Sequence, residues 1–486
     1  MSQTCIVGRN VSIPKNFITK ERVLKDLVIS DTRDSDFESR QDLVCFEETE
    51  EFYKVPFIYG RNFVLQNNLP SKTVIHKGDK IDVSFSGKLR EQQIPVVEKA
   101  AQVIKQEGGA VLNLYCGFGK TTVANYLSCK IKRKTLILVH TSSLVEQWKD
   151  RICQFVNGAS VGLIRQKTFD IEEKTHVIGL MQSISRRDYG TNAFDSFGLL
   201  ICDEAHHLPA QELSKCMKIA GTRYRIGLSA TPFRKDGFHP FLFNSIGRIA
   251  CSVERKEDSQ ELLVEAIFIK NGPDTVHTTW RAGGKKSINM ARMISDLYES
   301  PESVDRTRNV CRIILSKVSE GRKMIILSDR RGHLDNIAQF LLQNGLPEVG
   351  FLIGGKKKEE MKAAEEAQVI MATYAFCAEG VDIPTLDTAI FATPRSDVIQ
   401  TTGRILRKND DKKTPTIVDV VDDPFVFRNQ FKKREAYYAT LGAKVEYFDE
   451  EHVPFEKNNK NKNKNKRKVE EKKEDTNMFK MFKFDN

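Results

Sequence analysis

The sequence predicts an α/β protein of two tandem parallel-sheet domains, with a small, partly β domain before them and a disordered basic tail after them. Three observations carry that expectation. Short, near-continuous apolar runs recur at 111–116, 135–139, 176–180, 199–202 and 225–228, and again at 323–327, 369–372, 389–392 and 416–420. Amphipathic stretches lie between them; Leu334, Ile337, Ala338 and Leu341 fall at helical spacing and are closed by Gly345. A charged stretch at about 254–305 separates the two sets. Strands apolar along their whole length, alternating with helices, imply parallel sheets covered on both faces.

Taken in order, residues 1–84 form the small domain, because runs such as EFYKVPFIYGRNFVL are aromatic and β-branched with Pro and Asn breaks. Residues 85–253 make the first α/β domain, 254–305 a connecting segment, 306–440 the second α/β domain and 441–486 the tail. The 486 residues are 40% hydrophobic and 29% charged, as in ordinary globular chains. No apolar run approaches the roughly 18 residues that a membrane span needs. The start, MSQTCIVGRNVSIPK, lacks a signal-peptide pattern, so an intracellular protein is expected. Ten cysteines include no C-x-x-C pair, which argues against a zinc site or a disulfide framework.

The charge of +11 is unevenly spread. Residues 457–473 hold nine Lys/Arg against two Glu. A run such as KNNKNKNKNKRK buries no apolar surface; it is a solvated tail, a grip on nucleic acid or a nuclear-import signal. The closing MFKMFKFDN regains hydrophobicity and could dock on a protein partner.

Chemistry concentrates in three places. Residues 113–122, NLYCGFGKTT, follow an apolar strand and open a helix. That context suits phosphate, since helix N-terminal N–H groups and the positive dipole end face an anion. Gly117 and Gly119 permit a tight left-handed turn, Lys120 would reach the β- and γ-phosphates, and the Thr121 hydroxyl would ligate Mg²⁺. The usual pattern wants a glycine where Leu114 stands. Downstream, FGLLICDEAHHLP ends a strand in Asp203 and Glu204. Asp203 would hold the magnesium, and Glu204 would polarise the attacking water. In the second half, QTTGRILR sets Arg404 and Arg407 on one helical face, with Gln400 one turn earlier. Guanidinium groups match phosphate oxygens and carry a permanent charge.

These elements, in this order, resemble a superfamily 2 helicase of the DEAH-box kind over about residues 85–425. In that family the phosphate loop commonly reads C-G-x-G-K-[ST], so Cys116, Gly117, Phe118, Gly119, Lys120 and Thr121 are its intact form. The resemblance implies two RecA-like domains, ATP and Mg²⁺ as cofactors, and nucleic acid as partner. It makes Asp203-Glu204-Ala205-His206 the DEAH box, Ser229-Ala230-Thr231 the coupling motif, and Gln400 to Arg407 the Q-x-x-G-R-x-x-R motif with Arg404 and Arg407 as fingers. Within LREQQ, Gln93 would read the adenine. Ala372-Thr373 with the run Glu379 to Pro384, including Gly380 and Asp382, joins the nucleotide cleft to the nucleic-acid track. The branch that looks nearest holds XPB, the phage helicase UvsW and the helicases of large DNA viruses, because Arg234-Lys235-Asp236 falls where XPB-like chains carry R-E-D; here the middle residue is basic.

Carried over in the same way, Thr141, Gln182, Ser183 and Thr373 would touch the nucleic-acid backbone. Trp148 could stack on a base, but its helical spacing from Leu144 and Ile152 favours the core. The implied function is ATP-driven movement along nucleic acid or its unwinding, with DNA favoured over RNA, in the host nucleus or cytoplasm if a virus encodes the chain. The alternatives are an RNA helicase, a translocase that strips proteins or transcripts without unwinding, and a nucleic-acid-binding scaffold with a dead ATPase. A metal-dependent nuclease is set aside because no other acidic cluster has two-metal spacing.

Overall fold

Alternating apolar strands and helices build two parallel sheets in the computed structural model, which describes residues 4–30, 42–115, 117–190, 192–205, 210–233, 237–253, 262–270, 276–280, 286–356, 358–380, 383–398, 401–402 and 413–456. Cys116, His206, Asp382, Gln400, Arg404 and Arg407 lie outside the described residues, as do 234–236 and the tail from 457.

The N-terminal segment forms a five-stranded mixed sheet from Cys5–Val7 (β1), Val11–Pro14 (β2), Glu47–Glu48 (β3), Phe52–Val55 (β4) and Ser71–Thr73 (β5), in the order β3-β4-β2-β1-β5. The helix Phe57–Gln66 buries Phe57, Ile58, Gly60 and Val64. This segment has no core of its own. Val11, Ile13, Tyr53 and Phe57 belong to the same apolar cluster as Val111, Leu136 and Leu200 of the first α/β domain.

That first domain has eight strands: Gly109–Leu114 (β6), Thr135–Val139 (β7), Val161–Arg165 (β8), Thr168–Phe169 (β9), His176–Leu180 (β10), Leu199–Cys202 (β11), Tyr224–Ser229 (β12) and Ile249–Val253 (β13). Their order is β9-β8-β10-β7-β11-β12-β6-β13, parallel throughout except for β9. Successive side chains of a strand alternate between faces. Leu136, Leu138, Leu200 and Cys202 accordingly join the core on one face. Ile137, Val139, Leu199 and Ile201 join the core on the other. Both faces are covered, which is why these strands read as apolar without a break.

The second domain repeats the plan with Leu263–Ile269 (β14), Met324–Ser328 (β15), Gly350–Leu352 (β16), Val369–Thr373 (β17), Thr388–Phe391 (β18), Thr416–Asp422 (β19) and Lys444–Asp449 (β20). All pairs in the order β16-β17-β15-β18-β19-β14-β20 are parallel. The helix expected before Gly345 is Arg331–Gln343, and it buries Leu334, Ile337, Ala338 and Leu341. Among the described residues no helix is long and apolar enough to cross a membrane.

Two expected boundaries change. The segment read as a connector, 254–305, supplies β14, which pairs with β19 over seven residues from Leu263↔Thr416 to Ile269↔Asp422. Its later part is the helix Met290–Glu299, whose Met293, Ile294 and Leu297 pack with Phe427. The tail was expected from 441, yet β20 adds a strand beside β14. Val445 and Tyr447 lie over one core of this domain, and Phe448 over the other. Charged Lys444, Glu446 and Asp449 mask that alternation in composition, because an edge strand needs little apolar content to pair.

Candidate functional site at the strand ends of the first domain

In an open parallel sheet, ligands settle beyond the carboxyl ends of the strands. Neighbouring β6, β11 and β12 bring three sequence elements together there. The phosphate loop leaves β6, Asp203 and Glu204 leave β11, and Ser229 ends β12 opposite Asn113 of β6.

The loop turns through two left-handed glycines, Gly117 with φ +92° and Gly119 with φ +93°. Gly119 caps the helix Lys120–Ile131, so the first N–H groups of that helix face the strand ends. A Cβ on Gly119 would sit 2.6 Å from Gln93 Nε2 and 2.7 Å from Arg90 Nη2, whereas one on Gly117 would meet nothing within 4 Å. The loop is therefore walled on one side and open on the other. The wall is built by hydrogen bonds. Gln93 is buried; its Nε2 donates to Phe118 O at 2.8 Å, and its Oε1 accepts from Arg90 N at 2.9 Å. Arg90 Nη2 donates to Gly117 O at 3.2 Å and also to Phe118 O.

Lys120, at the head of its helix, reaches Glu204 with Nζ to Oε1 at 2.6 Å. Both side chains are mostly covered, so little water screens the pair. Glu204 adopts φ +43°, an uncommon conformation for a residue with a Cβ and one that clusters at functional sites. Asp203 is buried, with Oδ2 accepting from Trp148 Nε1 at 2.7 Å and Oδ1 accepting from Glu204 N at 2.9 Å. Burial pushes its carboxyl up to about 6, and the adjacent Glu204 adds to the rise; Lys120 and the two N–H donors oppose it. Ser229 is buried, and its Oγ accepts from Thr231 N at 3.1 Å. The Ala205 N–H donates to Leu228 O, tying the segment after β11 to β12.

The nucleic-acid candidates are spread over both domains. Thr141 stands two residues past β7 and caps the helix Ser142–Phe155, and its Oγ1 lies 3.0 Å from Ser143 Oγ. Thr373 ends β17 just before the helix Tyr374–Gly380, and its Oγ1 accepts from Phe376 N at 3.3 Å. These two helices lie against each other. Gln182 is exposed. Ser183 is buried, and its Oγ accepts from Gln166 N at 2.9 Å, which uses one of its acceptor positions. Gly380 closes the helix that begins at Tyr374.

Two residues with a part in this site were not singled out for it by the sequence. Arg90 stood inside the quoted LREQQ without a role. Trp148 was weighed between stacking platform and core; it is fully buried, yet its one polar atom is spent on Asp203.

Residues 86–234 match the family described as type III restriction enzyme, res subunit, and residues 305–409 match the helicase conserved C-terminal domain. A protein of Acanthamoeba polyphaga mimivirus named as an ATP-dependent RNA helicase, L396, is 29% identical over 396 residues, covering 81% of this chain and 75% of that one. A protein of Invertebrate iridescent virus 6 named as helicase 161L is 25% identical over 414 residues, covering 81% of this chain and 89% of that one. The solved structure of S. cerevisiae Dbp5 bound to RNA and ADP BeF3 shares the fold at a TM-score of 0.51 and 14% identity, over 73% of this chain and 89% of that one. The two tandem sheet domains are thus RecA-like and define the class, a two-lobed helicase. The two matched models and these viral relatives support a superfamily 2 helicase of the type that large DNA viruses encode.

Proposed function

We propose that the chain is an ATP-driven helicase or translocase that tracks DNA, with the nucleotide bound at the strand ends of the first domain. The observation that carries the reading is the contact between Lys120 and Glu204 beside the buried Asp203, at the head of a glycine-turned loop. The residues fit Mg²⁺ and ATP. The loop is open beside Gly117, a cation stands at the helix start, and the buried Asp203 carboxylate and the Thr121 hydroxyl in the first turn of that helix are oxygen donors of the kind Mg²⁺ takes. Mg²⁺, when bound, would neutralise charge on the β- and γ-phosphates.

On this reading Lys120 exchanges its bond to Glu204 for one to the phosphates, and Glu204 turns to the attacking water. Asp203 and Thr121 hold the metal. Gln93 reads the adenine from its place against the loop, which links base recognition to the loop's shape. Gln400, Arg404 and Arg407 arrive from the second domain, so hydrolysis requires closure of the two lobes. His206, Ser229 and Thr231 couple the nucleotide to that closure, and Gly380 with Asp382 relays it to the strand. Thr141, Gln182 and Thr373 grip phosphates without reading sequence. Ser183, whose O–H can still donate while its oxygen accepts from Gln166 N, joins them. The compartment would be the host nucleus or cytoplasm.

DNA is preferred because the branch suggested by the run after the coupling motif acts mainly on DNA. The name of the mimivirus relative favours RNA as the second reading. ATP hydrolysis measured without polynucleotide, with single-stranded DNA and with RNA, against Lys120→Ala as the blank, separates them. Stimulation by DNA is the expected result, and stimulation by RNA alone would put the second reading first. Equal inactivity of wild type and Lys120→Ala in all three conditions would leave a binding scaffold as the better account.

A further inference from the structure

Trp148 has two sides. Its ring packs in the core of the first domain with Leu144, Val145 and Ile152 of its own helix and Val139 of the strand before it. Its Nε1–H leaves that core and donates to Asp203 Oδ2 at 2.7 Å, across 55 residues of sequence. An indole has one donor and no acceptor, so the bond has a fixed direction. The carboxylate is then held at both ends, since Oδ1 accepts from Glu204 N at 2.9 Å. Asp203 has little exposed surface from which water could replace either donor. Two donors, one on each oxygen, restrict how this buried carboxylate can turn.

We infer that Trp148 is a positioning residue for the metal ligand of the nucleotide site: its indole N–H fixes the Asp203 carboxylate in the orientation that takes Mg²⁺. The inference rests on the ATPase reading above. Donors behind a ligating carboxylate set its orientation, and their loss weakens metal binding by about 10- to 100-fold in known sites. The helix carrying Trp148 begins at Ser142, directly after the candidate nucleic-acid contact Thr141, so the same rigid element meets both sites.

Trp148→Phe keeps an aromatic ring in the core and removes the donor, with some loss of packing volume. In the full chain, the Mg²⁺ concentration for half-maximal ATP hydrolysis should rise by about ten-fold. Binding of Mn²⁺ to the nucleotide-saturated protein, followed by electron paramagnetic resonance, should weaken by a similar factor. Affinity for a fluorescent ATP analogue in the presence of chelator should stay within about two-fold, because the Trp148 donor is spent on Asp203 and not on the loop. An unchanged Mg²⁺ requirement in a variant with reduced kcat or melting temperature would overturn the inference and leave Trp148 a core residue.

A second measurement leaves Trp148 in place. The chain has two tryptophans, so Trp280→Phe makes Trp148 the sole indole reporter. Its emission should change when Mg²⁺ joins bound ATP and not with ATP and chelator, and Asp203→Asn should abolish the change. Bound nucleotide with a Trp148 indifferent to Mg²⁺ sinks this inference alone. A wild type that binds no nucleotide at all sinks the ATPase reading instead.

Discussion

At Gly119, two independent constraints exclude a side chain, and at Gly117 only one does. Both need positive φ, which costs an L-residue about 1 kcal/mol. Gly119 also stands where a methyl would strike Gln93 Nε2 and Arg90 Nη2, and Gln93 is buried with that nitrogen bonded to Phe118 O. Gly119→Ala should therefore cost more than ten-fold in affinity for a fluorescent ATP analogue, and Gly117→Ala only about five-fold. Equal losses would mean that backbone strain alone governs the loop. This asymmetry marks what a residue pattern reveals. The spacing of Gly117, Gly119, Lys120 and Thr121 is legible because helix start and loop lie within one turn of each other, and Asp203 is legible because it ends an apolar strand. The partners Arg90 and Trp148 are not, since a donor that reaches across 28 or 55 residues leaves no local period. Helical spacing placed Trp148 on a buried face and was silent about where its N–H points.

Between elements, the guanidinium of Arg225 does a job that has no signature in composition. It sits on β12, fully buried, and donates to Thr222 O at 3.0 Å, Ser245 O at 2.6 Å and Arg9 O at 2.8 Å. Its plane lies 4.4 Å from the ring centre of Phe57. Burial without a carboxylate partner pulls its pKa down to about 9, so three carbonyls and an aromatic face must carry the charge. Arg9 and Phe57 come from the N-terminal segment, and Ser245 ends the helix His239–Ser245. One side chain thus ties the expected small domain to the first α/β domain, which explains why that segment shares a core with it instead of closing its own. Arg225→Met should destabilise the chain by roughly 3 kcal/mol, because it strands three buried acceptors. Urea unfolding gives the magnitude, and limited proteolysis should show residues before 84 cut first. A variant as stable and as protease-resistant as wild type would reduce the arginine to packing volume.

For the whole molecule, the two sheets were legible because strands buried on both faces announce themselves as apolar runs, and nine such runs fall in two groups. Six strands were not: β8, β9 and β16 are short or half-exposed strands at or beside the sheet edges, and β13, β14 and β20 lie near boundaries where charged residues interrupt the pattern. Each domain also encloses a buried histidine that the motif search passed over. His176 opens β10, with Thr175 Oγ1 3.0 Å from Nδ1 and Ser128 Oγ 3.1 Å from Nε2. Burial lowers its pKa to about 4. His333, against Ser328 Oγ, is lowered for the same reason, with Arg306 adding to the effect. A histidine depressed in the folded chain binds its proton first in the unfolded one, so below about 6.5 the unfolded state gains protons and stability falls as pH drops towards 4. Asp203 acts oppositely over part of that window, because its raised carboxyl takes up its proton first in the folded chain. The histidine contribution is therefore read as a difference between wild type and His176→Gln, which keeps polar contacts and cannot charge. Wild type should lose about 3 kcal/mol relative to that variant between pH 7 and pH 4, measured by urea unfolding at each pH. A difference that stays constant with pH would mean that His176 takes up its proton as readily folded as unfolded, and that the hydroxyls of Thr175 and Ser128 accommodate an imidazolium.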